Sequence, residues 1–173
     1  FKALALAESG IAAVGITGFY GFASEGCILQ ELAFILNGSG IREILFLGDS
    51  DTALNWQFAD AAVKLKRIYR DTTIRLPRLP LDGPKGIDDL KQESLDKSEP
   101  QEEGQAVFLE AWNSLVNEAP EVTSTMKPRD LAMTLFRREK EAIKGFQGET
   151  RTWALRKMAT LASFMETVEA NEV

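Results

Sequence analysis

The chain of 173 residues contains no histidine. That excludes nucleophilic schemes built on a Ser-His-Asp or Cys-His relay, and it excludes histidine-containing zinc sites. Cys27 is the only cysteine, so no internal disulfide can form and no zinc ribbon can be built. No apolar run approaches the roughly 20 residues that a membrane-spanning helix needs, and no signal-peptide pattern is present. A cytoplasmic protein without membrane partners is expected. An initiator methionine is also missing: helix-like sequence starts at once with Phe1-Lys2-Ala3-Leu4-Ala5-Leu6-Ala7-Glu8, and the expectation is that something precedes it. Chemistry in such a chain has to rest on carboxylates, lysines, hydroxyls and bound metal.

What is present suits a globular protein. Hydrophobic residues make up 45% and charged residues 27%, ordinary proportions that place the chain outside the disordered and fibrous classes. The length fits one domain plus an accessory piece.

The densest signal is Gly48-Asp49-Ser50-Asp51, which follows the apolar run Ile44-Leu45-Phe46-Leu47. A continuous apolar run of this length reads as a buried parallel strand. Ligands of open α/β sheets bind beyond the carboxyl ends of the strands. Two carboxylates at such an edge must be solvated, paired or bound to a cation, because unpaired buried charge is costly. Oxygen ligands suit a hard ion such as Mg²⁺ or Mn²⁺. The competing reading is that Asp49 or Asp51 caps the helix that follows.

Around this strand, helix and strand signals alternate. Ile11–Ile16 reads as a short strand, and Thr17-Gly18-Phe19-Tyr20-Gly21 as a glycine-rich loop at its end. Ile28, Leu32, Ile35 and Leu36 have helical spacing over about Cys27–Asn37, and Phe58, Ala62, Leu65 and Tyr69 over about Asn55–Tyr69. Thr72–Leu79 is a further strand candidate that Pro77 and Pro80 would shorten or confine to an edge. The alternation predicts an α/β fold with a mostly parallel small sheet flanked by helices.

Composition then changes. Residues 82–103 carry eight acids against Lys85, Lys91 and Lys97. Residues 91–104 read as an acidic linker or mobile loop, separating an α/β domain over 1–90 from a helical region over 105–173. In that region Phe108, Leu109, Trp112, Leu115 and Val116 form one apolar stripe. Leu131, Leu135 and Phe136 begin a second, and Met158, Leu161, Ala162, Met165 and Val168 form a third. Trp112 and Trp153 are expected in the core. Net charge is −6, yet Lys127–Lys157 holds nine Lys/Arg and four acids. Arg137, Arg138, Lys140 and Lys144 could track a phosphate backbone or form a solvated helix face beside Glu139 and Glu141.

A second constellation is Leu81-Asp82-Gly83-Pro84-Lys85-Gly86-Ile87-Asp88-Asp89. Gly and Pro make a turn there. Lys85 is a point charge suited to a phosphate. Asp88 and Asp89 either join the Asp49/Asp51 site or cap the next helix.

Together, Gly48-Asp49-Ser50-Asp51 after an apolar strand and the downstream Pro84-Lys85-Gly86-Ile87-Asp88-Asp89 resemble the TOPRIM fold. The closer similarity is to the TOPRIM-like domain of uncharacterised function in phage, plasmid and mobile-element replication proteins, often beside primase or helicase modules. It covers about Phe1–Leu90. The resemblance implies Mg²⁺-dependent phosphoryl transfer on DNA or RNA, as in a primase-type nucleotidyltransferase or a nuclease, with a helicase module or other replication protein as partner. Asp49 and Asp51 then carry over as metal ligands with catalytic roles, and Asp88 and Asp89 match the family's downstream acidic motif. Lys85 and the Gly18 loop would contact phosphates. The family's glutamate ends a strand just before its first helix. Phe1–Glu8 looks like that helix, so the glutamate is expected immediately upstream of Phe1, and neither Glu8 nor Glu25 stands at that strand end. The first strand is expected to be missing with it.

Three rivals remain at the level of sequence. A haloacid-dehalogenase-type phosphatase also sets an Asp-x-Asp after a strand, but here Thr52 follows Asp51 directly and Ala53 takes the usual Thr position. A non-catalytic scaffold would bind nucleic acid or a replication partner through the basic helices. A nucleotide-binding regulatory domain would need Gly-x-x-x-x-Gly-Lys-Ser/Thr or Gly-x-Gly-x-x-Gly, and neither occurs.

Overall fold

The computed structural model describes residues 1–24 and 27–171, with side chains described to Thr167. Glu25 and the side chain of Val168 lie outside the described residues.

The apolar run is a strand, β3 (Glu43–Leu45), after a short hairpin of β1 (Ala23–Ser24) and β2 (Cys27–Ile28). It pairs in parallel with β4 (Thr73–Arg75), Ile44 opposite Ile74. Phe46 N donating to Arg75 O at 2.8 Å extends the ladder by one residue. The far side of β4 is covered by residues 120–122: Val122 N donates to Ile74 O at 2.8 Å and Leu76 N to Pro120 O at 3.1 Å.

Side chains of β3 alternate between two apolar layers, as the period of a strand requires. Ile44 and Phe46 face a large core with Phe58, Ile74, Leu76, Leu131, Leu135 and Met158. Leu45 and Leu47 face a smaller one built on Leu6, Leu79, Ile87, Phe108 and Trp112. The helices therefore lie on both faces of the sheet. On one side are α3 (Trp56–Ile68), α6 (Pro128–Ala142) and α7 (Gly148–Asn171). On the other are α1 (Lys2–Ala7), α4 (Ile87–Asp96) and α5 (Gln101–Asn117). The remaining helix, α2 (Gln30–Gly38), buries no residue fully. The mixed α/β class expected from the alternation holds, with a parallel pair at its centre.

Local chemistry sets the helix ends. Asn55 caps α3, its side chain accepting from Gln57 N at 2.9 Å. Ala59, Ala61 and Ala62 are fully buried on α3, and such small residues let α6 pack closely against it. At the other end Lys66 donates to Arg70 O at 3.0 Å and Thr72 O at 2.8 Å, tying the α3 terminus to the start of β4. Pro128 opens α6, and Asp130 accepts from Lys127 N at 3.1 Å.

Several expectations change on meeting the fold. Ile11–Ile16 forms no strand; it has the composition of one but no neighbouring strand to pair with. Cys27 and Ile28 belong to β2, so the helix expected from Cys27 begins at Gln30. Residues 91–104 hold the second half of α4, a short break and the first turn of α5. Their polarity suggested a linker, yet Lys91, Ser94 and Gly104 are buried, because α4 and α5 cross closely where Gly104 meets Ser94 and Leu95. The larger core draws on Phe58 and Ile74 together with Leu131 and Met158, so the helical region shares a core with the α/β part. Trp112 is buried as expected, whereas Trp153 is 37% exposed.

Candidate metal centre

The loop after β3 is shaped by its glycine. A Cβ on Gly48 would lie 2.7 Å from Thr52 Oγ1 and 2.9 Å from Thr52 Cβ, so only glycine lets Thr52 fold back. Thr52 Oγ1 and N both donate to Asp49 O, at 2.6 and 3.0 Å. Leu54 N donates to Asp51 O at 3.1 Å. The backbone thus turns sharply into a 3-10 turn at Thr52–Leu54, and the two carboxylates diverge across it.

A second segment arrives beside this loop. Ser50 N donates to Lys85 O at 2.8 Å, which fixes Pro84–Asp89 against Gly48–Asp51. The two constellations that the sequence singled out are therefore neighbours. Asp89 turns back to accept from Gly86 N at 2.9 Å and caps α4. Asp88 also stands beside Gly86. A Cβ there would collide with Asp88 Oδ1 and stand 3.0 Å from Lys2 Cε.

Lys2 fills the space between the two segments. Its ammonium forms an ion pair with Asp49 Oδ1. Asp88 Oδ1 is buried and without a hydrogen-bond partner. Asp51 is held from the opposite side, where Lys157 of α7 donates to its Oδ2 at 3.1 Å. Among the described residues no three His, Cys, Asp or Glu side chains gather closely enough to hold a metal ion. The four acids Asp49, Asp51, Asp88 and Asp89 are thus dispersed by role. Asp49 is paired with Lys2 of α1, Asp88 lies beside Gly86 with one oxygen unpartnered, Asp51 is paired with α7, and Asp89 caps a helix.

The remaining candidate residues are scattered. Lys85 is exposed and makes no ion pair among the described residues. The Gly18 loop is pinned to α3: Phe19 packs edge-on against Phe58, and Tyr20 donates to Asp60 at 2.6 Å. Burial first, and then Asp60, push the Tyr20 hydroxyl well above its ordinary value, so it stays a neutral donor. Arg137, Lys140 and Lys144 are exposed, with Lys144 paired to Glu141 at 2.5 Å. Lys140 and Lys144, with Arg151, rim a cleft of about 370 Å³ floored by Phe136, Ile143 and Met158. Arg138 instead lies half-buried on another face, beside Arg78 and Glu118.

Sequence reasoning missed the lysines that neutralise Asp49 and Asp51, and it missed Glu139. Glu139 is fully buried and bound to Arg78. Burial raises its carboxyl above the usual range, while Arg78 and then Arg138 pull it back. One hint was available: Leu131, Leu135 and Glu139 share one helix face at spacing four.

No protein-family model matches this chain, and neither a curated protein nor a solved structure matches it.

Proposed function

We propose that the loop Gly48–Asp51, together with Asp88, is a divalent-cation site serving phosphoryl transfer on nucleic acid, in a TOPRIM-like domain. The observation that carries this reading is the buried, unpartnered Asp88 Oδ1 beside Gly86, on the segment that Ser50 N holds against the loop of Asp49, whose own Oδ1 is neutralised by Lys2. A buried carboxylate oxygen without a partner calls for a cation or a donor.

Asp49 and Asp88 would hold Mg²⁺ or Mn²⁺. When bound, the ion supplies neutralisation of charge on phosphate oxygens. The Ser50–Lys85 hydrogen bond keeps the two carboxylates in register. Lys85, exposed on the same segment, is free to meet a phosphate as a point charge. Asp51 acts from the second layer, by fixing α7 beside the loop.

A calorimetric titration with Mn²⁺ and Mg²⁺ tests the site. Binding by the natural protein that is lost in Asp49→Asn and in Asp88→Asn is the expected result. Absence of binding in the natural protein would refute it. A second reading then takes over, favoured by the exposed cations Arg137, Lys140 and Lys144: a non-catalytic scaffold that contacts nucleic acid through its helices.

A further inference from the structure

We infer that Lys2 is a built-in competitor for the metal site: its ammonium pairs with Asp49 Oδ1, and a divalent ion reaches that carboxylate only by displacing it. This inference rests on the proposed cation site and adds its regulation.

Three observations support it. First, the ammonium pairs with Asp49 Oδ1 while its Cε stands beside Gly86, in the same space as Asp88 Oδ1. One tethered charge therefore neutralises Asp49 on the side of the loop that faces Gly86 and Asp88. Second, Lys2 is delivered by an anchored helix. Lys91 on α4 is buried, and its ammonium donates to Ala5 O at 3.1 Å and to Glu8 Oε2 at 2.9 Å. Leu6 is buried with Ile87 and Phe108. α1 is thus fixed on α4 at a point where Lys2 reaches the loop. Third, the Lys2 side chain is 45% exposed, so the ammonium can swing into water without unseating α1. The path out is open, and the helix remains in place.

The consequence is a threshold. Divalent ions bind these carboxylates against a lysine held at high effective concentration. At low metal the loop keeps its geometry with Lys2 as counter-ion. At high metal Lys2 is released to solvent, where it becomes a second exposed cation near Lys85. Anionic phosphate arriving with the metal favours that release, since the freed ammonium gains a partner.

The test compares Mn²⁺ binding, read by calorimetry and by the metal-induced rise in melting temperature, in the natural protein and in Lys2→Met, Lys2→Arg and Lys64→Met. Lys64→Met is the control for net charge, since Lys64 pairs with Asp60 on α3. Removing the competitor should tighten Mn²⁺ binding about 3- to 10-fold in Lys2→Met, an effect on the scale of a partly exposed ion pair. Lys2→Arg and Lys64→Met should stay within about twofold of the natural protein, below the effect of such a pair. Equal affinity in the natural protein and Lys2→Met overturns the inference and leaves the metal site standing. Equal tightening in Lys2→Met and Lys64→Met overturns it as well, since bulk charge would then explain the change. Failure of every variant to bind Mn²⁺ overturns both the inference and the site.

Discussion

Arg78→Met should be the most damaging single change away from the loop. Glu139 is fully buried in the α6 face, and Arg78, 22% exposed, is its partner. The Glu139 Oε2 atom has no hydrogen-bond partner of its own. Breaking a buried pair by deleting one partner leaves an uncompensated charge and typically costs about 3–5 kcal/mol. For a chain of this size each kcal/mol is worth roughly 2–4 °C, so the melting temperature should fall on the order of 10 °C. The double variant Arg78→Met/Glu139→Met removes both charges, and it should recover to within about 1 kcal/mol of the natural protein. Sign follows from linkage. The folded-state pKa of Glu139 is raised by burial, so the folded chain holds that proton more tightly than the unfolded one. Stability is then lost as pH rises from the ordinary carboxylate range through the raised value. Without Arg78 the value rises further, so the cost of Arg78→Met should be smaller at pH 5 than at pH 8. Urea unfolding at both pH values measures this. A cost under about 1 kcal/mol at pH 8, or a double variant as weak as the single one, would refute the assignment of a buried ion pair.

Two more substitutions probe the frame around the site. Gly104→Ala sets two effects against each other: alanine favours a helix by up to about 1 kcal/mol, yet the new Cβ would lie 2.8 Å from Ser94 O and 2.9 Å from Leu95 Cα, both backbone atoms. The clash should win by about 1–3 kcal/mol, and a denaturant midpoint that rises would show that α4 and α5 can separate cheaply. Lys66→Met keeps the aliphatic stem but leaves the Arg70 and Thr72 carbonyls without their donor. A loss of about 2–3 kcal/mol is expected for such charged hydrogen bonds, and a thermal melt within about 1 °C of the natural protein would contradict it.

Local patterns were readable wherever a residue's role is decided by its neighbours in sequence. The run Ile44–Leu47 was apolar on both faces because both faces are covered, and that is visible in four letters. The apolar spacing of α3 and the turn chemistry of Gly83-Pro84 belong to the same class. Ile11–Ile16 shows the limit of this reasoning. A strand is made by its partner, and nothing in six residues reports whether one is present. Polarity misled over 91–104 because Lys91 spends its charge on α1, 83 residues away from its partner Glu8. The same holds for Glu139 and Arg78, 61 residues apart. At the candidate site the acids were legible as a motif. Their division between two lysine tethers and a helix cap was not, because it depends on Lys2 and Lys157, which approach from distant helices.

Asp51 and Lys157 are 106 residues apart, while Asp49 takes its lysine from α1. Three consecutive residues thus hold two helices that enter the fold from opposite directions along the chain. The closure linking Asp51 to α7 is among the longest in the molecule, and ordering a loop of that length is entropically late and slow. The loop should therefore gain its final shape near the end of folding, when α7 docks. It would act as a checkpoint: the carboxylates of Asp49 and Asp51 become organised only in a chain whose core is already complete.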